Sequence, residues 1–246
     1  MRILITGATG RLGRQVVDEL AGTFELRLIA RRPGAGGGEW IAADLAEPGD
    51  WARAFAGVDV VVHLAGNADP RAQWGEVARQ NLDATRNVLE AAVEHGVRRV
   101  VYASSRHVVL ALEEELAPAC YAPAGPKIGS DAAPRPVSPY GVSKAFGEIL
   151  GRAAVDAGRL PCFLAVRIGT HHPAPPPSDE VLLRRWIGPQ DLRALFRRCV
   201  EAAVEGFHVV YGVSAQPTSP YDLSHTRRIL AWEPRQLPPA PIPASP

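Results

Sequence analysis

The chain has 246 residues, of which 46% are hydrophobic and 22% are charged, and its formal net charge is +1. This composition is typical of a globular protein, and the near-neutral charge argues against a surface that attracts nucleic acid or an anionic membrane. Its three cysteines are far apart and give no metal-ligand spacing, so no metal site is predicted. Because no signal-peptide pattern or membrane-length apolar run is seen, we expect a cytoplasmic protein.

Short apolar segments alternate with helical ones along the first 168 residues. The predicted strands, in chain order, are 2–6, 25–30, 39–44, 57–66, 97–105 and 161–169, and the predicted helices between them are 11–21, 75–96 and 138–150. Buried parallel strands appear as continuous apolar runs, and their crossover connections are usually helices. The sequence therefore predicts an α/β fold with a doubly wound parallel sheet.

Two segments interrupt this alternation. Residues 110–136 are rich in Pro, Ala and Glu, and residues 171–179 read "HHPAPPPSD". Both are predicted to be loops, and loops of such length often form active-site walls or lids. A helix (188–206), a strand (207–214) and a short helix (224–232) follow, before a proline-rich tail.

The first strand ends in a glycine-rich turn. The segment "TGATGRLG" places Gly7, Gly10 and Gly13 between this strand and the first helix. Glycines there permit a tight turn and a close approach of the backbone to a pyrophosphate, whose charge the helix N-terminus stabilises. The position of the turn predicts a bound dinucleotide.

The second strand ends in "LIARRPG" and bears on which dinucleotide binds. An NAD site usually has an acidic residue at the end of this strand, whereas Ala30 is followed here by Arg31 and Arg32. Guanidinium groups can bind a 2′-phosphate through paired hydrogen bonds. We therefore expect NADP(H), with NAD(H) as the alternative cofactor and a solvated basic turn as the alternative interpretation of the arginines.

The predicted helix at 138–150 carries Tyr140 and Lys144, which share a face because they are four residues apart. Such a pair is either a surface coincidence or a proton donor and acceptor. A nearby ammonium and an oxidised nicotinamide would lower the phenol pKa from its ordinary value of about 10, so we expect a lowered pKa at Tyr140.

Taken together, these motifs resemble the short-chain dehydrogenase/reductase superfamily, in its extended NAD-dependent epimerase/dehydratase branch. The shared segments, in chain order, are "TGATGRLG", "ADL" (43–45), "HLAG" (63–66), "QNLDATRNVLEAA", "VVYASS" and "YGVSK". The resemblance implies a Rossmann-like fold, a nicotinamide-dependent enzyme, and a catalytic set of Ser105, Tyr140 and Lys144. It also implies a cofactor-binding core at 1–168 and a small substrate-binding portion at 169–234, before the tail at 235–246.

The predicted cofactor site combines the glycine loop, the second strand and this resemblance. Its residues are Gly7, Gly10, Arg11, Leu12, Gly13, Arg31, Arg32, Asp44, Leu45, Leu64, Ala65, Gly66, Asn81, Tyr140, Lys144 and Ile168. Asp44 is expected to bond the adenine amino group. Asn81 matches an asparagine of the family that is structural or supports a water, and His63 is expected to be a packed, hydrogen-bonded histidine.

Within this branch the chain resembles uronate dehydrogenases, which oxidise a hexuronic acid at C1 to a lactone. His107 matches a substrate-contacting histidine of that group. The predicted substrate-binding residues are Ala68, Ser105, Arg106, His107, Thr170 and Val181. Four of these depart from the group, and Val181 stands where an arginine is expected to bind the uronate carboxylate. Arg106 is either a displaced anion contact or an exposed loop residue.

These departures predict a more apolar small-molecule alcohol or ketone as the substrate of an NADP(H)-dependent ketoreductase, with galacturonate and glucuronate oxidised poorly. The alternatives are a uronate or aldose dehydrogenase and a sugar epimerase or dehydratase. A cofactor-sensing binding protein is a third interpretation, which the complete Ser105, Tyr140 and Lys144 set disfavours. A homodimer is compatible with the sequence, which does not fix the oligomeric state.

Overall fold

The computed structural model describes residues 1–171 and 179–238, and within them it contains a single parallel sheet of seven strands. In chain order the strands are β1 (Arg2–Thr6), β2 (Glu25–Ala30), β3 (Glu39–Ala42), β4 (Val60–His63), β5 (Arg99–Ser105), β6 (Cys162–Ile168) and β7 (Gly206–Gly212). Their order across the sheet is β3-β2-β1-β4-β5-β6-β7. The expected doubly wound α/β fold is confirmed.

Helices connect the strands. In chain order they are α1 (Arg11–Leu20), α2 (Trp74–Val77), α3 (Ala84–Glu94), α4 (Leu110–Leu116), α5 (Pro139–Asp156), α6 (Glu180–Leu183), α7 (Pro189–Glu201) and α8 (Ser224–Leu230). Helix α5 starts where the sequence predicts, because the Ser138 hydroxyl accepts a hydrogen bond from the Gly141 N–H at 3.1 Å and proline occupies the first turn. No helix among the described residues is long and apolar enough to cross a membrane.

The sheet is covered by apolar side chains on both faces. Ile3 and Ile5 of β1 point to one face, where they join the apolar cluster that includes residues of α1 and α7. Leu4 points to the other face and belongs to the cluster that includes residues of α3. This alternation follows from the period of two along a strand. It explains why the strands are apolar throughout.

The structure differs from the sequence-based expectation in two segments. The predicted loop at 110–136 contains helix α4 and a short 3₁₀ turn at Ala119–Tyr121. The predicted long helix at 75–96 is divided into α2, a π-helical segment at Ala78–Asp83, and α3. Residues 172–178 of the second predicted loop, and the end of the tail from 239, lie outside the described residues.

The strand order places the candidate site. Strands β1 and β4 are neighbours in the sheet, and the connections from them run to opposite edges, through β2 and β5. Ligands of open parallel sheets bind at the carboxyl ends of the strands beside such a reversal of order. The glycine turn after β1 and the segment after β4 therefore meet at the expected binding crevice.

Candidate active site

The glycine turn after β1 leaves no room for side chains. Gly7 has a φ of +67°, and a Cβ there would lie 2.7 Å from the Ala65 nitrogen. A Cβ at Gly13 would collide with the carbonyl oxygen of Gly7. The Gly10 N–H donates to that same carbonyl at 2.9 Å, and helix α1 starts at the next residue. This compact turn at a helix N-terminus fits a dinucleotide pyrophosphate.

Two adjoining pockets extend from this turn. The predicted cofactor residues that line one or both are Gly7, Gly10, Arg11, Leu12, Gly13, Arg31, Arg32, Asp44, Leu45, Leu64, Ala65, Gly66, Tyr140, Lys144 and Ile168. The pocket at the end of β2 is also lined by Thr9, Gln80 and Ala84, which no sequence motif indicated. That pocket holds Arg31 and Arg32 together with Asp44.

Asp44 is ionised at this pocket. The Arg79 guanidinium donates to its Oδ2 at 2.7 Å, and the Ala46 N–H donates to its Oδ1 at 3.1 Å. The bond to Arg79 is the largest influence that holds the pKa of Asp44 below its ordinary value. Asp44 is therefore a hydrogen-bond acceptor, as recognition of an adenine amino group requires.

Asn81 lines neither of the two pockets among the described residues. Its side-chain amide donates to the Asn67 carbonyl at 3.1 Å and to the Ser143 hydroxyl at 2.9 Å, and its oxygen accepts from the Asn67 N–H at 2.6 Å. The buried side chain thus ties the segment after β4 to helix α5. This arrangement favours the structural role over direct cofactor contact.

The candidate catalytic residues meet in the other of the two pockets, called the second pocket below. It lies where β5 ends and α5 begins. Ser105, Tyr140 and Lys144 all line it, and all three residues are buried. Burial raises the pKa of Tyr140, while the nearby Ser105 hydroxyl and the charge of Arg106 act in the opposite direction. Among the protein's own groups, desolvation outweighs these contacts, and the lowered Tyr140 pKa expected beside an oxidised nicotinamide stays a prediction.

Lys144 is held in place at the wall of this pocket. Its ammonium donates to the Ala103 carbonyl at 2.8 Å and lies 5.0 Å from the centre of the Tyr102 ring. Burial lowers the pKa of Lys144 to about 8, which leaves it mostly protonated at neutral pH. The lysine can therefore supply both a hydrogen-bond donor and a positive charge to the pocket.

His63 has the structural role that the sequence suggested. Its Nδ1 lies 2.7 Å from the Thr6 hydroxyl and its Nε2 lies 3.1 Å from the Thr85 hydroxyl. Burial, with a smaller contribution from the charge of Lys144, lowers the pKa of His63 to about 3. The neutral ring links β1, β4 and α3 and does not line either pocket described above.

The predicted substrate residues divide into two groups. Ala68, Ser105, Arg106, His107 and Thr170 line the second pocket, together with Leu182. Val181 is 37% exposed and is absent from the described lining, so its predicted place at a substrate carboxylate stays a prediction. Arg106 is 8% exposed, and its interpretation as an exposed loop residue is wrong.

A buried polar cluster behind Arg106 is absent from the sequence-based predictions. Glu113 of α4 is fully buried, and it accepts hydrogen bonds from Arg185, Tyr121 and Tyr221. In the sequence Glu113 begins a run of three glutamates, and such a run is typical of a solvated helix face. The sequence carries no signal that would have singled it out.

Comparisons with known proteins show the family of this chain. The model of the "NAD dependent epimerase/dehydratase family" matches residues 3–187. The chain is 34% identical to an NAD-dependent glucose-6-phosphate dehydrogenase of Haloferax volcanii, over 95% of this chain and 92% of that protein. It is also 34% identical to a uronate dehydrogenase of Agrobacterium fabrum, over 95% and 84% of the two chains.

A solved structure gives the same result. The uronate dehydrogenase of Agrobacterium tumefaciens superimposes with a TM-score of 0.78 and 33% identity, covering 99% of this chain and 92% of that one. The chain therefore belongs to the NAD dependent epimerase/dehydratase family of the short-chain dehydrogenases/reductases, and it is an NAD(P)-dependent oxidoreductase.

Proposed function

We propose that this protein is a dehydrogenase that oxidises the C1 hydroxyl of an aldose or an aldose derivative to a lactone. The observation that carries the proposal is the presence of Ser105, Tyr140 and Lys144 in one buried pocket beside the glycine turn. The names of the relatives supply the substrate class: glucose 6-phosphate, uronate and, in a further Haloferax volcanii relative at 34% identity, L-arabinose. Each of these compounds forms a cyclic hemiacetal.

Each of the three side chains has its own role in the proposed oxidation. Ser105 donates a hydrogen bond to the C1 oxygen, and Tyr140, as the phenolate, accepts the proton of that hydroxyl. A nicotinamide dinucleotide bound beside these residues would supply the acceptor for the hydride that leaves C1 as the C1–O bond becomes a carbonyl. Lys144 supplies the positive charge that stabilises the phenolate. Because burial raises the pKa of Tyr140, we expect oxidation to accelerate as the pH rises from neutral.

This proposal replaces the ketoreductase with an apolar substrate that the sequence analysis favoured. That expectation rested on four departures from the uronate dehydrogenases, and one of them, Val181, does not line the described pocket. The relatives named above act on sugars or sugar derivatives, which supports the aldose-dehydrogenase alternative. We further propose that the portion from 169 contributes to the substrate site, since Thr170 and Leu182 line the pocket.

The cofactor proposal changes as well. The relatives described as NAD-dependent, and a uronate dehydrogenase solved with NAD, support NAD(H), and a preference for NADP(H) has no support from them. The arabinose dehydrogenase is named for both dinucleotides. Because no carboxylate follows Ala30 and two arginines line the pocket there, we propose that NAD⁺ is used and that NADP⁺ is accepted too.

A substrate panel tests this function. Purified protein is assayed at 340 nm with NAD⁺ or NADP⁺ and with galacturonate, glucuronate, glucose 6-phosphate, L-arabinose, galactose and glucose. We expect at least one aldose to reach a kcat/KM above about 10⁴ M⁻¹s⁻¹, which is the usual enzymic range. Turnover of simple ketones with NAD(P)H, and of none of these aldoses, would instead favour the ketoreductase.

A further inference from the structure

Arg106 is a buried cation whose hydrogen-bonding capacity is unused. It follows Ser105 directly and begins the 3₁₀ turn at Arg106–Val109. Among the described residues its guanidinium donates no hydrogen bond, and its Nη1 is buried without a hydrogen-bond partner. A guanidinium has five N–H donors, and leaving them unmet inside a protein is costly. The residue lines the pocket that contains Tyr140, and about a tenth of its side chain remains accessible.

The one carboxylate that the structure describes near Arg106 is already engaged. Glu113 Oε1 accepts hydrogen bonds from Arg185 Nε and, at 3.1 Å, from the Tyr121 hydroxyl. Glu113 Oε2 accepts from the Tyr221 hydroxyl at 2.6 Å. Arg106 Nη1 lies 3.7 Å from that same Oε2, which is beyond hydrogen-bonding distance.

The charges of this cluster therefore do not balance. Arg106 and Arg185 contribute two positive charges, and Glu113 contributes one negative charge. Tyr121 and Tyr221 add hydrogen bonds and no charge, because burial raises the pKa of both. Buried charges are normally paired, so one positive charge at the pocket wall lacks a counter-ion within the described part of the chain.

The other groups that face the pocket do not supply this counter-ion. His107 lines the pocket, its Nδ1 has no hydrogen-bond partner among the described residues, and burial lowers its pKa to about 4, so it is neutral. Lys144 is a second cation. Asp69 is exposed at the pocket edge, and its Oδ1 accepts from the Arg71 N–H at 2.9 Å. The described wall around Arg106 is thus suited to an anion.

We propose that Arg106 binds an oxyanion of the substrate, a carboxylate or a phosphate ester, within the pocket that contains Ser105 and Tyr140. The inference rests on the proposed aldose dehydrogenase activity and narrows its substrates to anionic sugars. Arg106 is then a specificity-determining residue, and Glu113 holds its guanidinium toward the pocket from behind. His107 offers a second hydrogen bond to the same ligand.

Matched sugars test the proposal. Galacturonate is compared with galactose, and glucose 6-phosphate with glucose, in wild-type protein and in Arg106→Gln. We expect the wild type to favour the anionic member of at least one pair by about tenfold or more in kcat/KM. A charge-assisted contact accounts for roughly a tenfold to hundredfold effect, so Arg106→Gln should lower kcat/KM for that anion to this extent, mainly through KM. The neutral sugar should lose clearly less kcat/KM than the anion, and through kcat, because the charge of Arg106 also lowers the pKa of Tyr140.

Two further variants serve as controls. Arg106→Lys keeps the charge and loses the paired donors, so it should retain part of the preference for the anion. Arg135→Gln removes an exposed arginine that pairs with Glu115 of the same helix as Glu113, and it should leave all four kcat/KM values unchanged. Arg106→Gln should fold, because Glu113 remains paired with Arg185. Circular dichroism and NAD⁺ affinity check this.

The sugar pair for which Arg106→Gln loses its preference shows whether the bound anion is a carboxylate or a phosphate. An equal loss for neutral and anionic sugars would overturn the proposal, as would a wild type without preference, and both would leave the aldose dehydrogenase intact. If no sugar is oxidised, the proposed function fails, and calorimetric titration with galacturonate, glucose 6-phosphate and galactose decides the oxyanion site separately. Binding of an anion that is tighter than that of galactose and depends on Arg106 would support the site, and its absence would overturn it.

Discussion

On helix α5 the ammonium of Lys144 lies 5.8 Å from the centre of the Tyr140 ring, one helical turn away. Both residues are buried at the same pocket, so their four-residue spacing is not a surface coincidence. Both groups are shifted by burial toward their neutral forms, which raises the pKa of Tyr140 and lowers that of Lys144. A bound cationic nicotinamide would favour the phenolate and so oppose the shift at Tyr140.

Replacement of Tyr140 by phenylalanine tests its role as the proton acceptor. The variant keeps the ring that lies edge-on to His107 at 5.4 Å and loses the hydroxyl alone. We expect kcat to fall by about a hundredfold or more, which is the low end for lost acid–base catalysis, with little change in NAD⁺ affinity. Steady-state assays and fluorescence titration measure the two quantities. A kcat near that of the wild type would exclude this role.

The same helix carries a buried ion pair that fixes it to the sheet. Arg167 of β6 donates to both oxygens of Glu148, at 3.0 and 2.8 Å, and the Ser104 hydroxyl donates to Oε1 at 2.6 Å. Removal of one charge leaves the other buried without a partner. We expect Glu148→Gln to lower the free energy of unfolding by about 3–5 kcal/mol, measured by urea denaturation.

A surface pair on the same helix is the control for that experiment. Arg152 and Asp156 are 3.4 Å apart and more than half exposed. Asp156→Asn should cost less than about 1 kcal/mol, because exposed ion pairs contribute little. If both variants lost the same stability, the buried pair would not be what anchors α5.

The fold was predictable from the sequence because its signals are local. Continuous apolar runs give the parallel strands, and a glycine such as Gly7 has a positive φ that other residues rarely adopt. The candidate cofactor residues and Ser105 lie mostly at or just after the ends of these strands, and α5 carries Tyr140 and Lys144, so a correct strand order brings the candidate site together. The separation of α2 from α3 by a π-helical segment is not a local signal, and it was missed.

The substrate side of the pocket was less predictable because it depends on distant contacts. Arg106 is buried only because Glu113 lies behind it, and Glu113 is buried only because Tyr221 and Arg185 enclose it from far along the chain. Neither fact can be read from neighbouring residues. The resemblance to uronate dehydrogenases placed Val181 in the substrate site, and the position of that residue also depends on distant contacts.

Acid sensitivity should follow from His63. Its pKa is about 3 in the folded protein because of burial, against about 6.5 when exposed. Between these values the unfolded chain binds the proton, so the stabilisation is complete above pH 6.5 and is lost as the pH falls toward 3. From pH 7 to pH 5 we expect the wild type to lose about 2 kcal/mol of unfolding free energy relative to His63→Gln. Urea denaturation at both pH values measures the difference, and parallel loss in the two proteins would contradict it.

The pocket at the end of β2 contains two guanidinium groups, which we expect to contact the 2′-phosphate if NADP⁺ binds. Arg31 and Arg32 both line this pocket and both are exposed. Exposure weakens ionic contacts, so each arginine should contribute toward the lower end of the usual range for charge-assisted hydrogen bonds, about 1.5 kcal/mol. NAD⁺ lacks the phosphate and should be nearly indifferent to both residues.

We therefore expect the double replacement Arg31→Ala with Arg32→Ala to weaken NADP⁺ binding by about a hundredfold, and NAD⁺ binding by less than about threefold. Fluorescence titration of the purified protein with each dinucleotide gives the two dissociation constants. Arg53→Ala, which removes an exposed arginine outside this pocket, should change neither of them. An equal loss for both dinucleotides would mean that the arginines support the adenosine in general. A wild type that does not bind NADP⁺ would show that they remain solvated, and cofactor choice would then rest with NAD⁺ alone.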